Sequence, residues 1–117
     1  MQMNIAATNE IAGFIGSCLL DTDTGLIMAA QGGGRLDPDA VAALNATFLH
    51  STVAAMWEPD DEDGVEEILI TLTNQVHLIR PLEKAPSMFL FVALEKKKVN
   101  LGMARLQVKK VGRSLSM

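Results

Sequence analysis

The chain has 117 residues, which suits one compact domain over residues 1–117 and leaves no room for two. Hydrophobic residues make up 49% and charged residues 21%, so the composition supports a packed core and excludes an intrinsically disordered chain. The net charge of −4 argues against a nucleic-acid-binding protein, because phosphates require a basic surface.

The cysteine content and the N-terminal residues indicate the cellular compartment of the protein. A single cysteine, Cys18, excludes an intramolecular disulfide and a multi-cysteine metal site. The first 13 residues contain no basic start and no long apolar run. No apolar stretch reaches the roughly 20 residues that span a bilayer. We therefore expect a cytoplasmic protein without direct membrane insertion.

The first strand of the sheet is predicted over residues 14–20, after at most a short helix at residues 6–11. Alternation puts apolar side chains on both of its faces: Phe14, Cys18 and Leu20 on one, Ile15 and Leu19 on the other. Apolar residues on both faces are typical of a central strand. A tight turn at residues 21–25 then leads into a second strand at residues 26–30.

The middle helix has a clear start and an unusual surface. Asp37 is a favourable N-cap, Pro38 suits the first helical position, and the helix is predicted to end near Trp57, before Pro59. Residues 40–57 contain no Lys, Arg, Asp or Glu. Since a surface helix normally carries charge on its outer face, we expect this helix to be buried on several sides or to meet a partner.

Three strands and a helix are predicted in the C-terminal half, at residues 65–73, 76–82, 87–94 and 98–113. The last strand is apolar on both faces, so it should lie beside the first strand. The fold class is therefore α/β (α+β): a five-stranded antiparallel sheet in the order 2-1-5-4-3 with helices on both faces. The last helix should bury the apolar stripe Leu101, Ala104, Val108 and Val111.

The strand at residues 65–73 is predicted to form an edge that pairs with a second copy of the chain. Residues 68–72 contain no Lys or Pro, the usual guards of an exposed edge, and only Glu66 and Glu67 protect it. Pairing about a two-fold axis would cover it, whereas the alternative is a monomer with a slightly adhesive surface. The expected interface residues are Leu44, Thr47, Ser51, Ala54, Glu67, Ile68, Leu69, Ile70, Thr71 and Leu72.

Four further residues are candidates for binding a different partner. His50 falls on the small-residue face of the middle helix, and Trp57 falls at its end. Asp60 and Asp61 belong to an acidic loop that a basic partner would recognise. The alternatives are a packed tryptophan and a solvated loop.

The sequence predicts no catalytic residue, no metal ligand and no cofactor. Asp21 to Gly25 resembles the start of a calcium loop, but Gly32 stands where the closing glutamate belongs. Ser17 has no identifiable base, and His77 has no fitting set of carboxylates or cysteines. We therefore expect a protein that is not an enzyme.

Several stretches together match a known family in the right order. They are Gly16 to Asp21 with Gly25-Leu26, Glu67 to Thr71, His77 to Leu82, Leu90 to Leu94, and Asn100 to Arg105. In this pattern the chain resembles the roadblock/dynein light chain family. The resemblance spans most of the chain and rests on structural residues. The chain departs from the family in its short first helix, which would leave part of one sheet face less covered.

The resemblance implies a dimer joined through the third strand and the middle helix. Members of that family act as adaptors in motor and membrane-signalling complexes, and bacterial relatives regulate Ras-like GTPases, some as activators. We therefore expect a dimeric adaptor or regulator of a small Ras-like GTPase in a signalling or polarity system. The alternatives are a scaffold subunit without GTPase contact and, with less support, a small-ligand sensor.

Overall fold

A computed structural model describes residues 3–32 and 65–115 of the chain. It begins with a short 3-10 helix at Ala6–Glu10. Five strands and one α-helix follow: β1 Phe14–Asp21, β2 Ile27–Gly32, β3 Ile68–Thr71, β4 Gln75–Leu82, β5 Ala85–Glu95 and α1 Leu101–Ser114. The predicted middle helix lies outside the described residues.

The five strands form one antiparallel sheet in the order β2-β1-β5-β4-β3, which confirms the predicted order. β5 lies in the centre, and Leu90 stands opposite Leu19 of β1 and Arg80 of β4. β2 and β3 are the two edges. β3 is shorter than predicted, whereas β5 is longer and takes in Pro86, where the sequence predicts a loop.

A bulge near the start of β1 makes the prediction of strict alternation wrong. The pairing with β5 shifts its register between Phe14 and Gly16. Phe14 consequently packs on the face that holds Leu19, while Ile15 packs on the face of Cys18 and Leu20. A bulge inserts one extra residue and so reverses the side-chain direction before it.

The core is divided between the two faces of the sheet, as the apolar central strands predict. On one face Leu19, Leu78 and Leu90 pack beneath the 3-10 helix and α1. The other face buries Cys18, Leu20, Ile79, Phe89, Phe91 and Ala93. Both described helices lie on the first of these faces.

The 3-10 helix covers its part of the sheet in spite of its length. Ile5 and Ile11 at its two ends are fully buried. The Thr8 hydroxyl donates to the Ile5 carbonyl and lies 2.7 Å from the Ser17 hydroxyl of β1, which therefore acts as the donor of that bond. A satisfied buried hydroxyl pair fixes the helix on the strand without leaving an orphaned polar group.

α1 begins three residues later than predicted. The Asn100 side chain accepts a hydrogen bond from the Met103 backbone N–H at 3.1 Å, the geometry of an N-cap, so the preceding lysines form a turn instead. Ala104, Val108 and Val111 are buried as predicted, whereas Leu101 is exposed in the first turn. No helix in the described ranges is long and apolar enough to cross a bilayer.

Candidate interaction edge

β3 is a regular edge strand with one bare side. It pairs with β4 in an unbroken register from Ile68 opposite Ile79 to Thr71 opposite Val76. Within residues 3–32 and 65–115 no strand pairs with its other side. The backbone N–H and C=O groups along that side can therefore accept another strand.

The side chains of β3 are apolar toward both faces. Ile68 and Ile70 pack against the core cluster of Phe89 and Phe91. Leu69 points the other way and is 42% exposed, and Leu72, just past the strand, is 43% exposed. Two exposed leucines beside a bare ladder are an aggregation hazard unless another surface covers them.

Glu67 precedes β3 and holds its start in place through two arginines. The Arg105 Nε donates to Glu67 Oε2 at 2.8 Å, and the Arg80 Nη1 donates to Glu67 Oε1 at 3.4 Å. The Glu67 and Arg80 side chains are mostly buried, whereas that of Arg105 is half exposed. Glu67 therefore ties β3 to β4 and α1. Glu66, the preceding residue, is exposed.

His77 of β4 lies directly beside β3, opposite Ile70. Its ring packs edge-on against Phe91 at a centroid distance of 5.0 Å, and its Nε2 lies 2.8 Å from the Gln75 Oε1. Burial lowers the pKa of His77 below 6.5, which favours the neutral ring at physiological pH. His77 is therefore a packing residue of the sheet.

Cys18 and the turn that starts at Asp21, both within the described part of the chain, have ordinary structural surroundings. Burial raises the pKa of the Cys18 thiol to about 11, so it stays protonated and unreactive. The Asp21 side chain accepts from the backbone N–H of Asp23 at 2.9 Å, as in an ordinary turn. No three His, Cys, Asp or Glu residues of residues 3–32 and 65–115 come together as metal ligands.

The predicted residues of the dimer interface and of partner binding fall into two groups. Those on the edge strand, Glu67 to Leu72, lie together along β3 and its ends. The others lie outside the described residues: Leu44, Thr47, His50, Ser51, Ala54, Trp57, Asp60 and Asp61.

Sequence reasoning missed the two arginines that hold Glu67. Arg80 is 13 residues and Arg105 is 38 residues away along the chain, so no local spacing links them to the edge. The one available signal was that Arg80 stands in a largely apolar stretch of its strand, between Ile79 and Pro81, which suggests a charged partner.

No family model and no curated protein sequence matches this chain. Solved structures do. A roadblock/LC7 domain from Streptomyces avermitilis aligns over 93% of this chain and 88% of its own, with a TM-score of 0.74 and 18% identity. The gliding protein MglB from Thermus thermophilus aligns over 93% and 80%, with a TM-score of 0.74 and 18% identity.

A further structure, described as MglB with a tetrameric arrangement, aligns over 95% of this chain and 81% of its own, with a TM-score of 0.77 and 18% identity. The strand order, the central β5 and the packing of α1 arise from this chain's own residues, and the solved structures share that architecture over most of their length. The chain therefore has the roadblock fold.

Proposed function

We propose that this protein is a non-catalytic, dimeric regulator of a small Ras-like GTPase. The observation that carries the proposal is the apolar edge of β3 in a roadblock fold, whose outer side no described strand pairs with. A binding role needs no reactive group in this chain, since a GTPase supplies its own phosphate-binding loop and magnesium ligands. The resemblance to a family with bacterial GTPase regulators supplies the class of partner.

Dimerisation through β3 follows from the chemistry of the edge. Antiparallel pairing of two β3 strands about a two-fold axis would satisfy their free backbone groups and join two five-stranded sheets into one of ten. The same contact would cover Leu69 and Leu72. One similar structure is of MglB in a tetrameric arrangement, so that protein, which shares this fold, self-associates.

In the proposed dimer the two middle helices meet beside the paired strands and form the platform for the GTPase. The interface residues Leu44, Thr47, Ser51 and Ala54 and the partner-binding residues His50, Trp57, Asp60 and Asp61 remain predictions from the sequence.

The solution mass tests the dimer. We expect wild-type protein to be dimeric at micromolar concentration by light scattering, and Ile70→Lys to be monomeric because a lysine in β3 blocks pairing. Ile70 packs partly into the core, so Leu69→Lys, at an exposed position of the same strand, separates loss of pairing from loss of folding. Met28→Lys, on the opposite edge β2, is the matched control and should stay dimeric.

A wild-type monomer would overturn the dimer, and so would a dimer that both β3 variants leave intact while Met28→Lys disrupts it. The GTPase assignment is tested separately by pull-down with Ras-like GTPases of the same cell, loaded with GDP or a GTP analogue. Capture in one nucleotide state, lost in the β3 variants, is the expected result. A stable complex without any GTPase would favour the scaffold instead.

A further inference from the structure

The positive charge of this acidic protein is concentrated in one segment. Residues 96–113 hold seven of the ten Lys and Arg residues and no Asp or Glu. The rest of the chain carries all 14 acidic residues and only three basic ones. The net charge of −4 therefore conceals a strongly asymmetric distribution, with one positive region on a negative molecule.

This segment is α1 together with the turn before it, and its charged side chains face away from the core. Ala104, Val108 and Val111 turn toward the sheet, so the opposite side of α1 faces solvent. That side carries Arg105, Lys109, Lys110 and Arg113, and Lys96 to Lys98 extend it from the preceding turn. We call these seven residues and the apolar side chains between them the basic face.

Only part of this charge is neutralised by ion pairs. Arg105 pairs with Glu67 at 2.8 Å, Arg113 with Glu83 at 3.2 Å, and Lys98 with Glu95 at 3.4 Å. Across the described ranges, the other four basic side chains make no ion pair: Lys96, Lys97, Lys109 and Lys110. The basic face thus keeps a net positive charge after the acidic partners of these three ion pairs are counted.

Two large apolar side chains project from the same face. Leu106 is 65% exposed and Met103 is 55% exposed, which is unusual for residues of a helix that already buries an apolar stripe. Leu106 lies between Arg105 and the lysines at 109 and 110, and Met103 lies about one turn before Leu106. Apolar side chains surrounded by lysine and arginine are typical of helices that lie on a membrane surface, where the cations meet lipid phosphates and the apolar groups enter the acyl boundary.

We propose that the basic face of α1 binds the surface of an anionic lipid bilayer. The charge complementarity favours such a surface, and the acidic remainder of the chain would orient the protein with α1 inward. Within the described residues a depression at the end of α1, lined by Leu82, Gly112 and Arg113, holds only about 40 Å³, which is too small to seat a peptide segment. The exposed side of α1 therefore suits a flat, deformable surface better than an extended acidic peptide.

The proposed dimer would strengthen this binding but is not required for it. A two-fold axis that pairs β3 strands antiparallel stands perpendicular to the sheet, so both α1 helices lie on the same side. Two basic faces then meet one bilayer, and the second contact is intramolecular. A negative vesicle measurement would therefore leave the GTPase proposal intact, and a negative pull-down would leave the membrane proposal intact.

The test is co-sedimentation with vesicles of phosphatidylcholine containing about 30% phosphatidylglycerol, at low and at physiological salt, with pure phosphatidylcholine vesicles as the neutral probe. We expect binding to the anionic vesicles alone and a loss of binding as salt rises. Lys109→Glu/Lys110→Glu, which breaks no ion pair in the described structure, should weaken the partition coefficient by at least about tenfold.

The apolar contribution has a matched pair of variants. Leu106→Ser should weaken binding several-fold, because it removes the side chain that enters the bilayer. Leu26→Ser removes a leucine that is 60% exposed in the turn between β1 and β2, outside α1, and should leave binding unchanged. Circular dichroism shows whether each variant is folded.

Four outcomes would overturn the proposal. The first two are no binding to anionic vesicles at low salt and equal binding to neutral vesicles. The third is binding that the lysine double variant does not weaken. The fourth is a protein that does not bind vesicles but binds polyglutamate, with the lysine double variant weakening that binding. The last result would assign the basic face to an acidic protein partner.

Discussion

The two edges of the sheet are protected in different ways. At β2 the ladder is broken by a register shift between Leu19 and Leu20, and the Asn9 side chain donates to the Gln31 side chain at 2.9 Å, tying the strand to the 3-10 helix. At β3 the ladder is unbroken, and among the described residues no helix or loop ties down its outer side. Bulges and covering elements blunt an edge against pairing, so β2 is an edge closed by its own chain and β3 is an edge left open.

The difference teaches that exposure alone does not identify an interface. Both edges lack lysine and proline and both expose apolar side chains, Met28 on β2 and Leu69 on β3. What distinguishes β3 is a regular backbone in which every position can continue the sheet. The flanking ion pairs of Glu67 strengthen this, because they hold the strand in position without covering it.

The largest expected effect comes from disturbing the end of β2. Gly32 has φ = +70°, and a Cβ there would lie 2.7 Å from the Ile15 carbonyl oxygen and 2.8 Å from the Phe14 ring. Gly32→Ala therefore combines left-handed strain with a backbone clash, and we expect a loss of about 2–4 kcal/mol in unfolding free energy.

Gly25→Ala is the matched control for this loss. Gly25 has φ = +74° but open space around the missing Cβ, so it should lose only about 1–2 kcal/mol. Urea denaturation measures both variants. Equal losses would show that the close contact of β2 with β1 is not what fixes this edge.

A high-pH titration probes the strand beside β2. Cys18 lies in β1 opposite Ala30, and burial raises the pKa of its thiol to about 11 from 9.0. The folded state holds this proton more tightly than the unfolded chain, so its stabilisation is complete below about pH 9 and is lost as the pH rises to about 11. We expect a loss of about 2–3 kcal/mol over that window.

Cys18→Ala separates this effect from lysine titration, which is common to both proteins. Urea denaturation between about pH 8 and about pH 11 should give a shallower loss of stability for the variant. Identical slopes would mean that the thiol is not as buried as the structure places it.

The sheet was predictable from the sequence because the two-residue periodicity of apolar side chains identifies each strand from its own residues. The double-sided apolar pattern of residues 88–93 is sufficient to place β5 in the centre, and β1 next to it. The bulge at Phe14–Gly16 was not predictable, because these residue types also fit a regular strand. The extra residue becomes visible only in the register of β1 against β5. The start of α1 was missed because the lysine run has good helix propensity while the Asn100 cap decides the boundary.

The candidate edge was predictable in part. The absence of lysine and proline at residues 68–72 directly identified this strand as an unprotected edge. The ion pairs of Glu67 with Arg80 and Arg105 join three elements that are distant in sequence, so they emerge only once β4 and α1 are packed.

A smaller effect is expected at the open edge itself. Glu67→Gln leaves the mostly buried Arg80 without its charged partner and should lower stability by about 1–2 kcal/mol. Glu66→Gln, the exposed neighbouring position, should change it by less than about 0.5 kcal/mol. Thermal unfolding of the two variants makes the comparison, and equal melting temperatures would show that the pairs with Arg80 and Arg105 do not fix the start of β3.

The smallest expected effect is an acid-side loss of stability at the strand beside β3. Burial lowers the pKa of His77 below 6.5, so the unfolded chain takes up a proton near pH 6.5 that the folded protein resists. Stability from the neutral ring is therefore fully present above that pH and falls as the pH drops below it toward the lowered pKa of the folded state. His77→Gln cannot take up this proton and should flatten the decline measured by urea denaturation. If wild type and variant declined in parallel, carboxylates alone would explain the acid sensitivity, and His77 would not distinguish the open edge from the closed one.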